Sequence, residues 1–138
     1  MAELIRFGVS LEKELSERFD RHIKEKRYTN RSEAIRDLLR EELVKKEWHL
    51  GKEVAGAITM IYDHHKRDLV NRLLDIQHNY GDIIVATQHI HVDHHNCLEI
   101  IAVKGGPQKV QALADLLKST KGVKHGTLSM TSTGKHLE

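Results

Sequence analysis

Apolar and polar residues alternate between residues 4 and 10, with Ile5, Phe7 and Val9 on one side and Arg6, Gly8 and Ser10 on the other, the period of a short strand. The period then changes to that of a helix. Leu11, Leu15, Phe19 and Ile23 form its apolar stripe, Ser10 is placed to cap it, Glu12 and Glu14 suit its first turn, and it should end near Lys26. Asn30 stands three residues before Glu33, a capping-box arrangement that opens a second helix with Ala34, Ile35, Leu38, Leu39 and Leu43 on a buried face. Residues 47–52, with Gly51, read as a linker. Beyond it the pattern predicts a strand at 54–62, a helix at 63–80 closed by Gly81 in a left-handed cap, and a hairpin of strands 83–92 and 97–103. Pro107 then suits the first position of a helix carrying Val110, Leu113, Ala114 and Leu117. Gly122 ends it, and a last strand at 123–131 precedes a frayed tail at 133–138.

The expected class is α+β. Residues 1–50 give strand-helix-helix, and 51–138 give β-α-β-β-α-β, the ferredoxin-like split βαβ of ACT-type ligand-binding domains. The first strand has no second strand near it in sequence. Its backbone groups are satisfied if it pairs with the same strand of another copy, which implies a two-fold dimer. Such a ribbon can enter the DNA major groove with its polar face toward base edges.

Composition narrows this picture only a little. With 138 residues, 39% of them hydrophobic and 4% aromatic, two small domains would each have a modest core and would gain from oligomerisation or metal. A formal charge of +2 does not announce nucleic acid, so DNA binding has to rest on a local patch such as Arg6. No apolar run approaches the roughly 20 residues that span a bilayer, and Met1, Ala2 and Glu3 do not begin a signal peptide, so a soluble cytoplasmic protein with no membrane partner is expected. The single cysteine fits a reducing compartment.

Candidate chemistry centres on the hairpin. His89 and His91 share one face of a strand, the polar run 93–96 reads as a turn, and Cys97 starts the returning strand, so two imidazoles and a thiol approach one another. This is a metal-ligand spacing, although 11 histidines in the chain leave room for the alternative of exposed strand histidines beside a small buried cysteine. Ligand type suits Ni(II), Cu(II) or Zn(II), and geometry would decide among them. Asp63, His64 and His65 form an auxiliary, weaker metal-site candidate, whereas His94 and His95 read as turn residues.

The N-terminal strand followed by Asn30-Arg31-Ser32-Glu33-Ala34-Ile35-Arg36 resembles the ribbon-helix-helix family. Joined to an ACT-like domain with His78, His89, His91 and Cys97, it resembles the nickel-responsive NikR regulators over essentially the whole chain. That resemblance implies a homotetramer, a dimer of dimers, with one high-affinity Ni(II) site per subunit. His89, His91 and Cys97 of one subunit and His78 of its neighbour would hold the ion in a square plane. It also implies operator DNA contacts from Arg6, Gly8 and Ser10 on the strand, from the backbone amides near Arg31 and Ser32, and from Lys66 and Arg67. Gly8 departs from the pattern, having no side chain to read a base. Glu33 and Asp37 match positions that help bind a potassium-like cation between the domains.

The implied function is a DNA-binding regulator, not an enzyme, that represses nickel uptake when nickel is plentiful. No catalytic residues and no small organic ligand are expected. The rival readings are a metalloenzyme with Glu99 as its acid or base, which four protein ligands disfavour, and a nickel storage or delivery protein, which leaves Arg6 without a purpose.

Overall fold

The computed structural model describes residues 2–137; Met1 and Glu138, the last residue of the expected tail, lie outside the described residues. The chain divides into two compact units, one built on residues 2–43 and one on Val44–His136.

In the first unit, residues 2–12 carry no helix or strand pairing, followed by α1 (Lys13–Glu25) and α2 (Arg31–Leu50). Ile5, Phe7 and Val9, the apolar side of the expected strand, are 82%, 72% and 61% exposed in the single chain. Ser10 does not cap α1. The helix begins later than expected, with Glu12 at the N-cap and no side-chain cap bond, which leaves Ser10 two residues too early to reach the first free amides. At the other end Arg27 takes φ 61°, the Tyr28 amide donates to the Ile23 carbonyl and the Arg27 amide to the Lys24 carbonyl, closing α1 as a Schellman motif.

The cap of α2 follows the sequence in half. The Asn30 side chain accepts the Glu33 amide at 3.0 Å, while the Glu33 carboxylate turns to Arg36 instead of back to Asn30. On its expected buried face only Ala34 is buried; Leu38, Leu39 and Leu43 remain about half exposed, because α1 alone is too small to cover them. The expected linker at 47–52 is mostly helix. The final turn of α2 belongs to the second unit, where Trp48 packs on the core and its indole N–H donates to the Thr131 carbonyl at 2.7 Å.

The second unit runs β1 (Val54–Asp63), α3 (Arg67–Asn79), β2 (Ile84–His91), β3 (Asn96–Gly105), α4 (Pro107–Ser119) and β4 (Val123–Thr131). Its antiparallel sheet has the order β2-β3-β1-β4, so the expected βαββαβ arrangement is present. One face of the sheet is apolar because Val54, Ile58, Met60 and Tyr62 of β1 and Cys97, Ile101 and Val103 of β3 alternate onto it. Leu69 and Leu73 of α3 and Val110, Leu113, Ala114 and Leu117 of α4 cover that face at helical spacing. Truncating one of these leucines to alanine would cost about 2–5 kcal/mol.

Two helix ends differ from expectation. The run 63–80 is divided, with Asp63 finishing β1, a turn at 64–66 and α3 starting only at Arg67. Gly81 does not adopt a left-handed conformation; α3 ends instead through Tyr80 and Gly81 amides bonded to the Gln77 and His78 carbonyls. Gly122, between α4 and β4, is left-handed at φ 104°, and a Cβ there would also meet Leu69 at 2.9 Å.

Candidate metal centre

The register of the hairpin builds the centre. His91 lies directly opposite Cys97, His89 opposite Glu99, and Cys97 in turn opposite Tyr62 of β1. Directly paired residues share a face, so the two imidazoles, the thiol, the carboxyl and the phenol all project to the helix-covered side. Edge strand β2 is exposed along nearly its whole length, whereas β3 lies within the sheet. The result is two accessible imidazoles beside a thiol that is 99% buried. Cys97 Sγ is 3.9 Å from His89 Nδ1.

Beneath them Glu99, only 1% exposed, is fully engaged. Its Oε1 accepts the Tyr62 hydroxyl at 2.6 Å and its Oε2 accepts the Gln77 amide at 2.7 Å, while His89 Nδ1 stands 3.7 Å from Oε1. Burial, and then the bond to Glu99, push the Tyr62 phenol well above its usual range, so it stays protonated as a donor. The Glu99 carboxylate and the Cys97 thiol thus both face the same ring nitrogen of His89, Nδ1, with no hydrogen bond between carboxylate and imidazole.

His78 sits in the last turn of α3, with its side chain exposed, one residue beyond the Gln77 that binds Glu99. The single chain thus gathers His89, His91 and Cys97 on one hairpin and leaves His78 on a separate element. Two imidazoles and a buried thiol suit a borderline transition metal better than a hard cation.

A second group of histidines surrounds the same end of the sheet. His64 stacks on His91 with ring centroids 4.3 Å apart and planes 7° from parallel. Asp63, His65 and His95 offer ligand atoms that all lie within 4.8 Å of one another. Of the auxiliary trio, then, Asp63 and His65 come together, His64 turns toward His91, and His95 from the hairpin takes its place. No local sequence signal announces this meeting; it follows from the pairing of β1 with β3, which sets Asp63 opposite Asn96 and brings the two loops side by side.

In the first unit Arg6 and Ser10 lie on the exposed N-terminal segment together with Gly8, which has nothing within 4 Å of a built Cβ. Ser32 is exposed in the first turn of α2, and the Arg31 guanidinium makes a two-pronged pair with Asp20, both bonds 2.9 Å, leaving its backbone at the helix start. Glu33 is paired with Arg36 and Asp37 accepts the Tyr28 hydroxyl, so both carboxylates have protein partners. In the second unit Lys66 and Arg67 are exposed at the start of α3.

An N-terminal unit of arm and two helices, with a split βαβ unit carrying a His/Cys hairpin, defines a two-part chain whose parts match two known families. Residues 5–46 match the ribbon-helix-helix protein, copG family, and residues 55–131 match the NikR C terminal nickel binding domain. The chain belongs to the NikR family. It is 60% identical over 135 residues to a protein of Syntrophus aciditrophicus, covering 98% of each chain. It is 56% identical over 136 residues to one of Thermococcus kodakarensis, covering 98% of this chain and 99% of that one. Both bear the name "Putative nickel-responsive regulator". An uncharacterized protein of Thermotoga maritima, at 14% identity, shares the fold over 57% of this chain and 98% of that one, with a TM-score of 0.52.

Proposed function

We propose that the protein is a nickel-responsive, DNA-binding transcriptional regulator that represses nickel-uptake genes when Ni(II) is bound. The observation that carries this reading is the buried Cys97 thiol, 3.9 Å from His89 and directly opposite His91, within the residues that match a nickel-binding domain. His89, His91 and Cys97 supply three ligands, and His78 of a neighbouring copy supplies the fourth. When bound, Ni(II) supplies a Lewis-acid centre that ties imidazoles and thiolate of different subunits together, so assembly and metal loading become linked.

The residues of the chain do the rest. Tyr62 and Gln77 fix Glu99, whose carboxylate stands beside the His89 ring. On the sheet face away from the helices, Ile61, Leu98 and Ile100 are only partly covered, which supports association with other copies into a tetramer. Ile5, Phe7 and Val9 and the roughly 1020 Å³ cleft they line with Phe19, Ile35 and Leu39 support a dimer in which two arms pair and fill that space. Arg6, Gly8 and Ser10 then face operator bases, and the amides at Arg31 and Ser32 face a phosphate. Lys66 and Arg67 add backbone contacts, and a potassium-like cation binds beside Glu33 and Asp37. This is a binding function performed in the cytoplasm, with no catalytic step, and 1–50 and 51–138 are its two working parts.

Two measurements test it. Titration with Ni(II) should produce a sulfur-to-nickel charge-transfer band that a Cys97→Ala variant lacks. Operator binding at fixed salt should tighten on nickel loading, and operator DNA should tighten nickel binding by the same factor. Equal operator affinity with and without nickel would overturn the regulatory reading.

A further inference from the structure

The last turn of α2 is seated on the second unit by one residue and opposed by its neighbour. The Trp48 indole N–H donates to the Thr131 carbonyl of β4 at 2.7 Å, and the ring packs on the core over Gly56 of β1, where a Cβ would meet Trp48 Cζ2 at 3.6 Å. The Lys52 amide donates to the Glu47 carbonyl at 3.2 Å and closes the helix there. Glu47 works against this seat. It is only 8% exposed, and its Oε2 has no hydrogen-bond partner among the described residues, although Lys52, Lys135 and His136 line the cleft of about 250 Å³ beside it. A buried carboxylate oxygen without a donor is disfavoured against the same oxygen in water, so lifting the helix end would relieve it. Contacts that hold the seat and a group that resists it bring two arrangements close in free energy, as a two-state element requires.

We infer that Trp48 is a positioning residue for operator binding and Glu47 its counterweight: the end of α2 exchanges between a seated and a released arrangement, and nickel binding favours the seated one through β1. Gly56, beneath Trp48, and Tyr62 stand an even number of residues apart on β1, and so on the same face, about 20 Å from one another at the usual rise per residue. Tyr62 lies opposite Cys97 in the β1–β3 pairing and its hydroxyl is bonded to Glu99, so ordering of the hairpin ligands is felt on the strand that carries the seat. α2 begins at Arg31 and Ser32, whose amides face an operator phosphate in the function proposed above. Seated, that helix has a fixed attachment to the metal-binding unit; released, it loses it. The effect on DNA rests on the regulatory reading, whereas the exchange between arrangements is a property of the chain itself. Nickel's preference for the seated arrangement sets how far it can tighten operator binding.

The test is hydrogen exchange of the amides of residues 44–50 in the full chain, metal-free and loaded with Ni(II), with operator affinity measured at fixed salt. Nickel should slow exchange of these amides. In the metal-free chain Trp48→Phe, which keeps a ring on the core and removes the donor, should speed their exchange by about threefold to tenfold, the size expected for one neutral hydrogen bond. Glu47→Gln puts a neutral amide in place of the unpartnered carboxylate and should slow it. Trp48→Phe should cut nickel's gain in operator affinity by a similar factor while the thiolate charge-transfer band is kept, and Glu47→Gln should raise operator affinity without metal. Exchange at 44–50 that nickel leaves unchanged would overturn the inference, as would an undiminished nickel gain in Trp48→Phe or faster exchange in Glu47→Gln. No nickel gain in the unaltered chain would sink the regulatory reading instead, and the exchange rates would still decide whether the seat exists.

Discussion

Replacing Tyr62 with phenylalanine removes one oxygen from the most enclosed polar contact in the second unit. Tyr62 and Glu99 are 2% and 1% exposed, so no water is at hand to replace the 2.6 Å bond between them. A hydrogen bond to a charged, buried group contributes about 1.5–3 kcal/mol, and the orphaned partner carries its own desolvation penalty. Glu99 Oε2 keeps its bond from Gln77, but Oε1 is left facing only His89 Nδ1 at 3.7 Å, beyond hydrogen-bond length. Tyr62→Phe should therefore destabilise the metal-free protein by about 2–3 kcal/mol, a large part of a domain stability of roughly 5–15 kcal/mol. The same effect should nearly vanish when Glu99 is already leucine, because both polar partners are then gone. Urea unfolding of the four proteins of this double-mutant cycle, at one protein concentration, measures the coupling. A Tyr62→Phe change within about 0.5 kcal/mol of zero, or an equal loss in the Glu99→Leu background, would refute the claim that Tyr62 acts through Glu99.

Three further outcomes are expected. Gly122→Ala places a Cβ at φ 104° against Leu69, and thermal unfolding should show a loss of about 1–3 kcal/mol; no loss would mean that α4 and β4 can shift their connection freely. Arg27→Gly relieves a left-handed arginine in the cap of α1, a gain of roughly 1 kcal/mol partly offset by the freer unfolded chain, so a small stabilisation should appear and a clear loss would refute the strain. The Asp93 carboxyl is held at about 2 by the side-chain and backbone amides of Asn96 and by the His95 amide. Because it lies below the unfolded value of about 3.9, its support of the hairpin turn is complete above that pH and is lost as pH falls through about 2. NMR shifts of the His95 and Asn96 amides should report that midpoint, and a midpoint near 4 would refute the turn geometry.

The order of elements in the second unit was readable because each strand and helix there keeps one period, with Gly81, Gly105 to Pro107 and Gly122 marking three of the breaks; the break between β1 and α3 carries no glycine or proline, and the helix there was expected to start too early. The hairpin was readable for the same reason: His89 and His91 are two apart, and the polar run before Cys97 can only be a turn. What sequence could not supply was register across distant segments. Nothing local to His65 or His95 says that they meet, since that follows from β1 pairing with β3 at Asp63 and Asn96. Likewise Gly51 suggested a linker, but α2 persists to Leu50 because Trp48 finds the Thr131 carbonyl, a partner 83 residues away. Ser10 was a good cap by type and a poor one by position.

If His89, His91 and Cys97 are the metal ligands proposed above, their placement across the sheet also bears on how such a sensor can change over generations. Because β2 is an edge strand with exposed side chains, exchanging His89 or His91 leaves no void in the packed interior. Imidazole donors can thus be swapped, and metal preference explored, with the fold largely indifferent. Cys97 and Glu99 occupy β3 inside the sheet and are tied to Tyr62 and Gln77, so mutation there tests folding before it tests sensing. On that reading, drift in metal choice is channelled through the outer strand, while the inner strand holds the thiol constant.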